Sequence, residues 1–151
     1  MEKNLKYIGY GIALQEVPDE ISLVFNISNC PHRCKGCHSE YLWEDTGEDL
    51  MDTFQDVIKQ YEENITCVCF MGGDQDIKQL KIILEYIKNL GYKTCVYSGS
   101  DDFDLFKDCL PYLDWLKIGS YKEELTVNNN IQYGIKLATS NQKMYKSGTD
   151  Y

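Results

Sequence analysis

Three cysteines fall within eight residues of the chain, at Cys30, Cys34 and Cys37. Their spacing is C-x3-C-x2-C, which is tight enough for one loop to present three thiolates to a single metal centre. Three thiolates can ligate three irons of a four-iron cluster and leave the fourth iron without a protein ligand. An open coordination position is where a metal centre performs chemistry, as catalytic zinc sites illustrate. The loop is therefore a candidate for a reactive metal site.

Three other interpretations of this loop compete with the cluster. Cys34-Lys-Gly-Cys37-His38 matches the haem attachment pattern, but attachment normally needs export and no export signal is predicted. Cys34 and Cys37 alone could form a thioredoxin-like redox pair. The cysteines with His32 or His38 could hold zinc, although structural zinc sites usually add a second, distant cluster of ligands. The first two interpretations leave Cys30 unexplained, so a three-cysteine cluster loop is favoured. The C-x2-C-x2-C spacing of ferredoxins is absent, which disfavours a purely electron-carrying cluster.

The elements that must position these cysteines alternate between strand and helix patterns. Strand patterns cover residues 21–27, 65–70, 93–97 and 114–118, and helical spacing covers residues 50–61, 77–90 and 103–110. Gly91 is placed to end the second helix and Pro111 the third. This alternation is typical of a parallel α/β sheet. Residues 7–17 are predicted to add an edge strand or hairpin, and residues 131–137 a final strand.

The chain is predicted to be one α/β domain, residues 1–151, folded as an open partial (β/α) barrel of parallel strands. It is far shorter than the about 250 residues of a closed eight-stranded barrel. In parallel α/β folds, the loops that follow the strands meet at the carboxyl edge of the sheet, where ligands bind. We expect the cysteine loop to share this edge with three loops of small residues, which are Gly72-Gly73-Asp74, Ser98-Gly99-Ser100 and Gly119-Ser120.

Two of these loops carry candidate ligand-binding residues. Gly72 and Gly73 have no Cβ, so their backbone groups can approach a ligand closely. Asp74 can accept a hydrogen bond from a ligand ammonium group, and the alternative is that it is the N-cap of the following helix. Ser98 has the same two interpretations, a ligand contact or a role in local structure.

Composition and charge exclude some functions. The chain has 24 acidic and 15 basic residues, and its formal charge of −9 is opposite in sign to a nucleic-acid-binding surface. No window approaches the about 20 apolar residues of a membrane span. We therefore expect a cytoplasmic protein that binds neither nucleic acid nor membrane. Thiols stay reduced in this compartment, and the remaining cysteines lie in apolar runs. Those predicted to be small buried residues are Cys67, Cys69, Cys95 and Cys109.

The sequence resembles the radical S-adenosylmethionine superfamily, whose signature is C-x3-C-x2-C after the first barrel strand. Within it, the chain looks most like the activating proteins of anaerobic ribonucleoside-triphosphate reductase, a branch of the glycyl radical activating enzymes. The resemblance covers most of the chain, and the short length suits a branch whose barrels are incomplete. The matching stretches are residues 16–30, 37–43, 69–74, 97–99, 116–119 and 139–145.

This resemblance implies a set of site residues. The implied ligands of a 4Fe-4S cluster are Cys30, Cys34 and Cys37. The implied contacts to S-adenosylmethionine are Gly36, His38, Gly72, Gly73, Asp74 and Ser98. Asp74 stands where the family more often has Glu, one methylene longer, in a loop that meets the methionyl amino group. No side chain is implied as a catalytic acid or base, because the cluster and the cofactor carry the radical chemistry.

The implied activity is that of an oxidoreductase that activates another enzyme. The open iron binds the amino and carboxylate groups of S-adenosylmethionine, and one-electron reduction gives methionine and a 5′-deoxyadenosyl radical. That radical takes a hydrogen atom from a glycine Cα of the reductase. The implied partners are anaerobic ribonucleoside-triphosphate reductase and a low-potential electron donor such as flavodoxin or ferredoxin. Two alternatives stay open: a radical enzyme that acts on a small molecule, and a non-catalytic zinc- or cluster-binding module.

Overall fold

The computed structural model describes residues 5–14, 16–28 and 47–151. The strands are β1 (Lys6–Ala13), β2 (Ser22–Ile27), β3 (Glu48–Asp49), β4 (Cys67–Met71), β5 (Lys93–Tyr97), β6 (Trp115–Ile118), β7 (Ile131–Gln132), β8 (Ile135–Lys136) and β9 (Lys143–Lys146). The α-helices are α1 (Leu50–Tyr61) and α2 (Ile77–Asn89). Short 3₁₀ turns occupy Asp74–Asp76, Phe103–Phe106, Leu110–Tyr112 and Glu123–Leu125.

Seven strands of this part of the chain form one mixed sheet in the order β3-β1-β2-β4-β5-β6-β9. Strands β2, β4, β5 and β6 are parallel, with Cys69 of β4 between Val24 of β2 and Cys95 of β5. Strands β1 and β9 pair antiparallel with β2 and β6. The four parallel strands therefore end at one edge, and the cysteine loop follows β2 from that edge.

The two faces of the sheet carry different residues, because side chains alternate along a strand. On one face, Leu23, Phe25 and Ile27 of β2 join the main core, which includes the buried residues of α1 and α2. On the other face, the smaller cluster consists of Val17, Val24, Cys67, Cys69, Cys95, Trp115 and Met144. Both helices thus pack on the same core, and their burial fixes the strands whose ends form the candidate site.

Most of the predicted regular elements are confirmed within one or two residues. The four parallel strands lie where the apolar runs predicted them, and α1 and α2 lie where helical spacing predicted them. Asp49 caps α1 by accepting from Asp52 N–H at 3.0 Å. Gly91 follows α2 with a φ of +95°, a conformation that glycine adopts readily.

Two predicted elements are wrong. Residues 103–110 form no α-helix but 3₁₀ turns, with Asp102 capping the first by accepting from Asp104 N–H at 3.0 Å. Pro111 does not end a helix as predicted but lies inside the second of these turns, Leu110–Tyr112. Residues 131–137 form the hairpin β7–β8 and no single strand, because Tyr133 and Gly134 both have positive φ, at 53° and 81°. Two such residues make a tight hairpin turn.

Helix length and polarity also bear on the membrane expectation. Within residues 5–14, 16–28 and 47–151, no helix is both long enough and apolar enough for a membrane crossing. The single domain and the partial-barrel classification stay predictions.

Candidate cluster and cofactor site

Some predicted site residues lie outside the residues that the structure describes, namely Cys30, Cys34, Gly36, Cys37 and His38. The described chain reaches Ser28, two positions before the first of these cysteines. Ser28 N–H donates to Lys6 O at 2.8 Å, and Ser28 O accepts from Gln75 Nε2 at 2.7 Å. The residue from which the chain leads to the cysteines is therefore anchored to β1 and to the turn before α2.

Gly72 and Gly73 form a loop in which larger residues would be strained. Their φ angles are +112° and +119°, which side chains rarely adopt. A Cβ on Gly72 would lie 3.1 Å from Ile27 Cβ, and a Cβ on Gly73 would lie 3.2 Å from Leu80 Cδ1. Gly72 N–H donates to Tyr97 O at 2.8 Å and so ties the loop to β5. The loop brings bare backbone to the carboxyl edge, next to the end of β2.

Asp74 is not the N-cap of α2. The N-cap is Asp76, whose carboxylate accepts from Gln79 N–H at 3.1 Å, while Asp74 begins the preceding 3₁₀ turn. The half-buried Asp74 carboxylate instead accepts a hydrogen bond from the Ser98 hydroxyl at the end of β5. The capping alternative is therefore wrong, and the interaction of Asp74 with a ligand ammonium group stays a prediction.

Ser98 lies below the surface of this edge, with 2% of its area exposed. Its N–H donates to Lys117 O at 2.8 Å, which ties the end of β5 to β6. Its Oγ accepts from Ser100 N–H at 2.9 Å and donates to Asp74. The hydroxyl is thus occupied within the protein on both its donor and its acceptor side.

The loop after β6 is held by Asp101. Gly119 N–H donates to Ser100 O at 2.7 Å, and Ser120 N–H donates to Asp101 Oδ1 at 3.1 Å. Partial desolvation raises the pKa of the Asp101 carboxyl, but hydrogen bonds from Ser120, the positive charge of Lys122 and a hydrogen bond from Asn141 together outweigh it, and the pKa lies below its ordinary value. A charged acceptor therefore joins the loops after β5 and β6.

Gln142 docks the late matching stretch onto the same loop. The residue is 5% exposed, and its Oε1 accepts from Ala138 N–H at 3.0 Å and from Thr139 N–H at 3.2 Å. Its Nε2 donates to Gly119 O at 3.3 Å. A Cβ on Gly119 would lie 2.8 Å from Gln142 Cα, so this contact depends on glycine. Residues 139–142 thereby support the fourth loop of the edge.

A second amide completes this support. Asn130 Nδ2 donates to Thr139 O at 2.8 Å and to Gln142 O at 3.0 Å. Sequence reasoning missed both Asn130 and Gln142, because the partners of a buried amide are set by tertiary contacts. The one signal in the sequence applies to Gln142, which lies in residues 139–145, a stretch that resembles the radical S-adenosylmethionine superfamily.

One buried polar atom beside Ser28 has no partner among the residues that the structure describes. This atom is Gln75 Oε1. The Nε2 of the same side-chain amide donates to Ser28 O. Buried polar atoms nearly always have partners, so this oxygen suits a backbone N–H of a neighbouring segment. Three cysteines follow Ser28 within nine residues, and cysteine thiols are the usual ligands of an iron–sulfur cluster.

The remaining cysteines are buried, reduced thiols, as predicted: Cys67, Cys69, Cys95 and Cys109. Desolvation raises the pKa of Cys67 and Cys95 well above the ordinary thiol value and that of Cys109 to about 11. The thiolate is the reactive and metal-binding form, so Cys67, Cys95 and Cys109 are poor ligands. Across the described ranges, no group of three or more His, Cys, Asp or Glu residues could hold a metal ion.

The parallel strands of the mixed α/β sheet lead to glycine loops and, along the sequence, to the three-cysteine segment. The sequence profile of the 4Fe-4S single cluster domain family matches residues 19–144, which is most of the chain and includes the three clustered cysteines. The chain belongs to this family, and it is therefore an iron–sulfur protein. No curated protein matches the chain. The assignment of individual cysteines as ligands stays a prediction.

Proposed function

We propose that this chain activates anaerobic ribonucleoside-triphosphate reductase by generating a glycyl radical on it with S-adenosylmethionine. The observation that carries the proposal is the C-x3-C-x2-C segment, which follows β2 in sequence, together with Gly72, Gly73 and Asp74, which follow the adjacent strand β4. Membership of the 4Fe-4S single cluster domain family supports the cluster. The resemblance to the activating proteins of this reductase supports the reaction and the partner.

In this proposal each group of residues has one task. Cys30, Cys34 and Cys37 hold the cluster, and their number leaves one iron for the cofactor. When bound, the cluster and S-adenosylmethionine supply reductive cleavage of a carbon–sulfur bond and removal of a hydrogen atom from the partner's glycine. Asp74 accepts a hydrogen bond from the cofactor's ammonium group. Gly72 and Gly73 give the loop the positive-φ turn that leads from β4 to Asp74.

The partner's glycine must reach this edge on a polypeptide loop. In the described part of the chain, the sheet runs from β3 to β9 without closing on itself. We propose an open partial barrel, which leaves one side accessible to such a loop. A closed barrel would exclude the loop. The substrate class is therefore a glycine segment of a large protein, and the small-molecule alternative would need an enclosed pocket instead.

The test is product analysis on protein reconstituted anaerobically with iron and sulfide. After chemical reduction, the protein is expected to convert S-adenosylmethionine to methionine and 5′-deoxyadenosine. With the reductase present, electron paramagnetic resonance should show a glycyl radical on that partner. Absence of cleavage contradicts the proposal. Cleavage without a radical on the reductase favours the small-molecule alternative, and stoichiometric zinc without a cluster favours the non-catalytic module.

A further inference from the structure

We propose that Ser98 positions Asp74 and does not itself bind the cofactor. The inference rests on the proposed function, because it concerns how the S-adenosylmethionine site is held in place. It replaces the direct contact that the sequence predicted for Ser98 with an indirect role through the Asp74 carboxylate.

The hydrogen bonds of the Ser98 hydroxyl show that its proton is donated to Asp74. A hydroxyl has one proton to donate, and an ionised carboxylate can only accept. Because Ser100 N–H already donates to Ser98 Oγ at 2.9 Å, the bond between Ser98 and Asp74 uses that one proton. Ser98 therefore has no second proton for a cofactor oxygen or nitrogen.

The backbone of Ser98 is as constrained as its side chain. The residue is 2% exposed, and its N–H is bonded to Lys117 O in the neighbouring strand at 2.8 Å. A buried donor whose backbone is bonded to the neighbouring strand is a rigid reference point. The Ser98 hydroxyl holds one carboxylate oxygen of Asp74 at the end of β5, although Asp74 itself follows β4 in the chain.

A hydrogen bond that restrains the Asp74 carboxylate matters because the backbone before Asp74 consists of two glycines. Gly72 and Gly73 give the chain the turn that it requires, but they contribute no side chain that could restrain the carboxylate. A carboxylate oxygen can accept from more than one donor, so the bond from Ser98 leaves accepting capacity for an ammonium group. The pair Ser98–Asp74 is thus suited to a fixed, negatively charged acceptor at the mouth of the sheet.

The experiment measures binding of S-adenosylmethionine to reconstituted, unreduced protein by anaerobic calorimetry. Ser98→Ala is expected to raise the dissociation constant about tenfold, the size of a hydrogen bond to a charged group. The stoichiometry and the iron content should stay at the parent values, because a folding defect lowers the number of sites and leaves their affinity unchanged. Ser98→Thr keeps the hydroxyl and is expected to bind within about threefold of the parent.

Two further variants give the largest and the smallest loss of affinity expected. Asp74→Ala removes the whole contribution of the carboxylate, so Ser98→Ala should bind no more weakly than Asp74→Ala. Ser22→Ala is the matched control, since Ser22 is a fully buried serine at the opposite end of β2. It should bind like the parent.

The outcomes separate this inference from the function on which it rests. If the parent protein binds no S-adenosylmethionine, the proposed function is wrong and the inference falls with it. If the parent binds and Ser98→Ala binds equally well, the inference alone is wrong. It is also overturned if Ser98→Ala is weaker than Asp74→Ala, or if Ser98→Thr or Ser22→Ala loses as much affinity as Ser98→Ala.

Discussion

Gly119→Ala is expected to destabilise the protein well beyond the ordinary cost of replacing a glycine in its conformation. Gly119 has a φ of +117°, and its loop packs directly on the backbone of residues 141 and 142. An added Cβ would lie 2.8 Å from Gln142 Cα and 3.2 Å from Asn141 O. Neither neighbour is the flexible end of a side chain, so the loop or the docked segment must move.

Two contributions set the size of this effect. A positive φ costs a residue with a Cβ about 1–2 kcal/mol. Overpacking against backbone costs about 1–3 kcal/mol more, because the docked segment must shift by several tenths of an ångström. The total is about 2–5 kcal/mol, and each kcal/mol lowers the melting temperature of a domain this size by about 2–4 °C.

Gly91→Ala provides the matched control. Gly91 has a φ of +95°, but a Cβ there would meet no atom within 4 Å, so only the conformational contribution applies. Thermal unfolding of the reconstituted proteins, followed anaerobically by circular dichroism, measures both variants. Gly119→Ala should melt at least about 2 °C below Gly91→Ala. Equal melting temperatures would show that residues 141 and 142 do not pack on this loop.

Three other predictions address the ligands, the docked segment and the buried thiols. Cys30→Ala, Cys34→Ala and Cys37→Ala should each abolish cleavage of S-adenosylmethionine, whereas Cys67→Ala should keep its iron, and iron loss in that variant would refute the ligand assignment. Gln142→Leu leaves the N–H groups of Ala138 and Thr139 without their acceptor and should cost about 2–5 kcal/mol of unfolding free energy, against little for the exposed Gln55→Leu. The pKa of Cys109 is raised from 9.0 to about 11 in the folded protein, so the unfolded thiol ionises first and stability should fall as pH rises between these values. Urea titrations across that range should show a smaller fall in Cys109→Ala, and an identical fall would contradict the assignment.

The regular elements could be predicted because each depends on local periodicity. β4 and β5 are short apolar runs, and α2 has apolar residues on one face and Gly91 at its end. Two elements could not be predicted in this way. The predicted third helix is two 3₁₀ turns, with Pro111 inside the second, and the predicted final strand is a hairpin because Tyr133 and Gly134 have positive φ.

The site could be predicted only as far as residue types reveal it. The cysteine spacing and Gly72-Gly73 are visible in sequence because thiols and missing Cβ atoms have direct chemical meaning. The bond from Ser98 to Asp74 depends on the parallel pairing of β4 and β5, which brings together residues 24 positions apart. The docking of Gln142 on Gly119 has the same origin, since it depends on β9 pairing with β6.

We propose that a cluster with an open iron binds S-adenosylmethionine beside Asp74. Electron paramagnetic resonance of the reduced, anaerobically reconstituted protein tests it most directly, with and without the cofactor. We predict a 4Fe-4S signal whose shape changes when S-adenosylmethionine is added, and changes far less in Asp74→Ala. A signal that the cofactor leaves unaltered would contradict the claim.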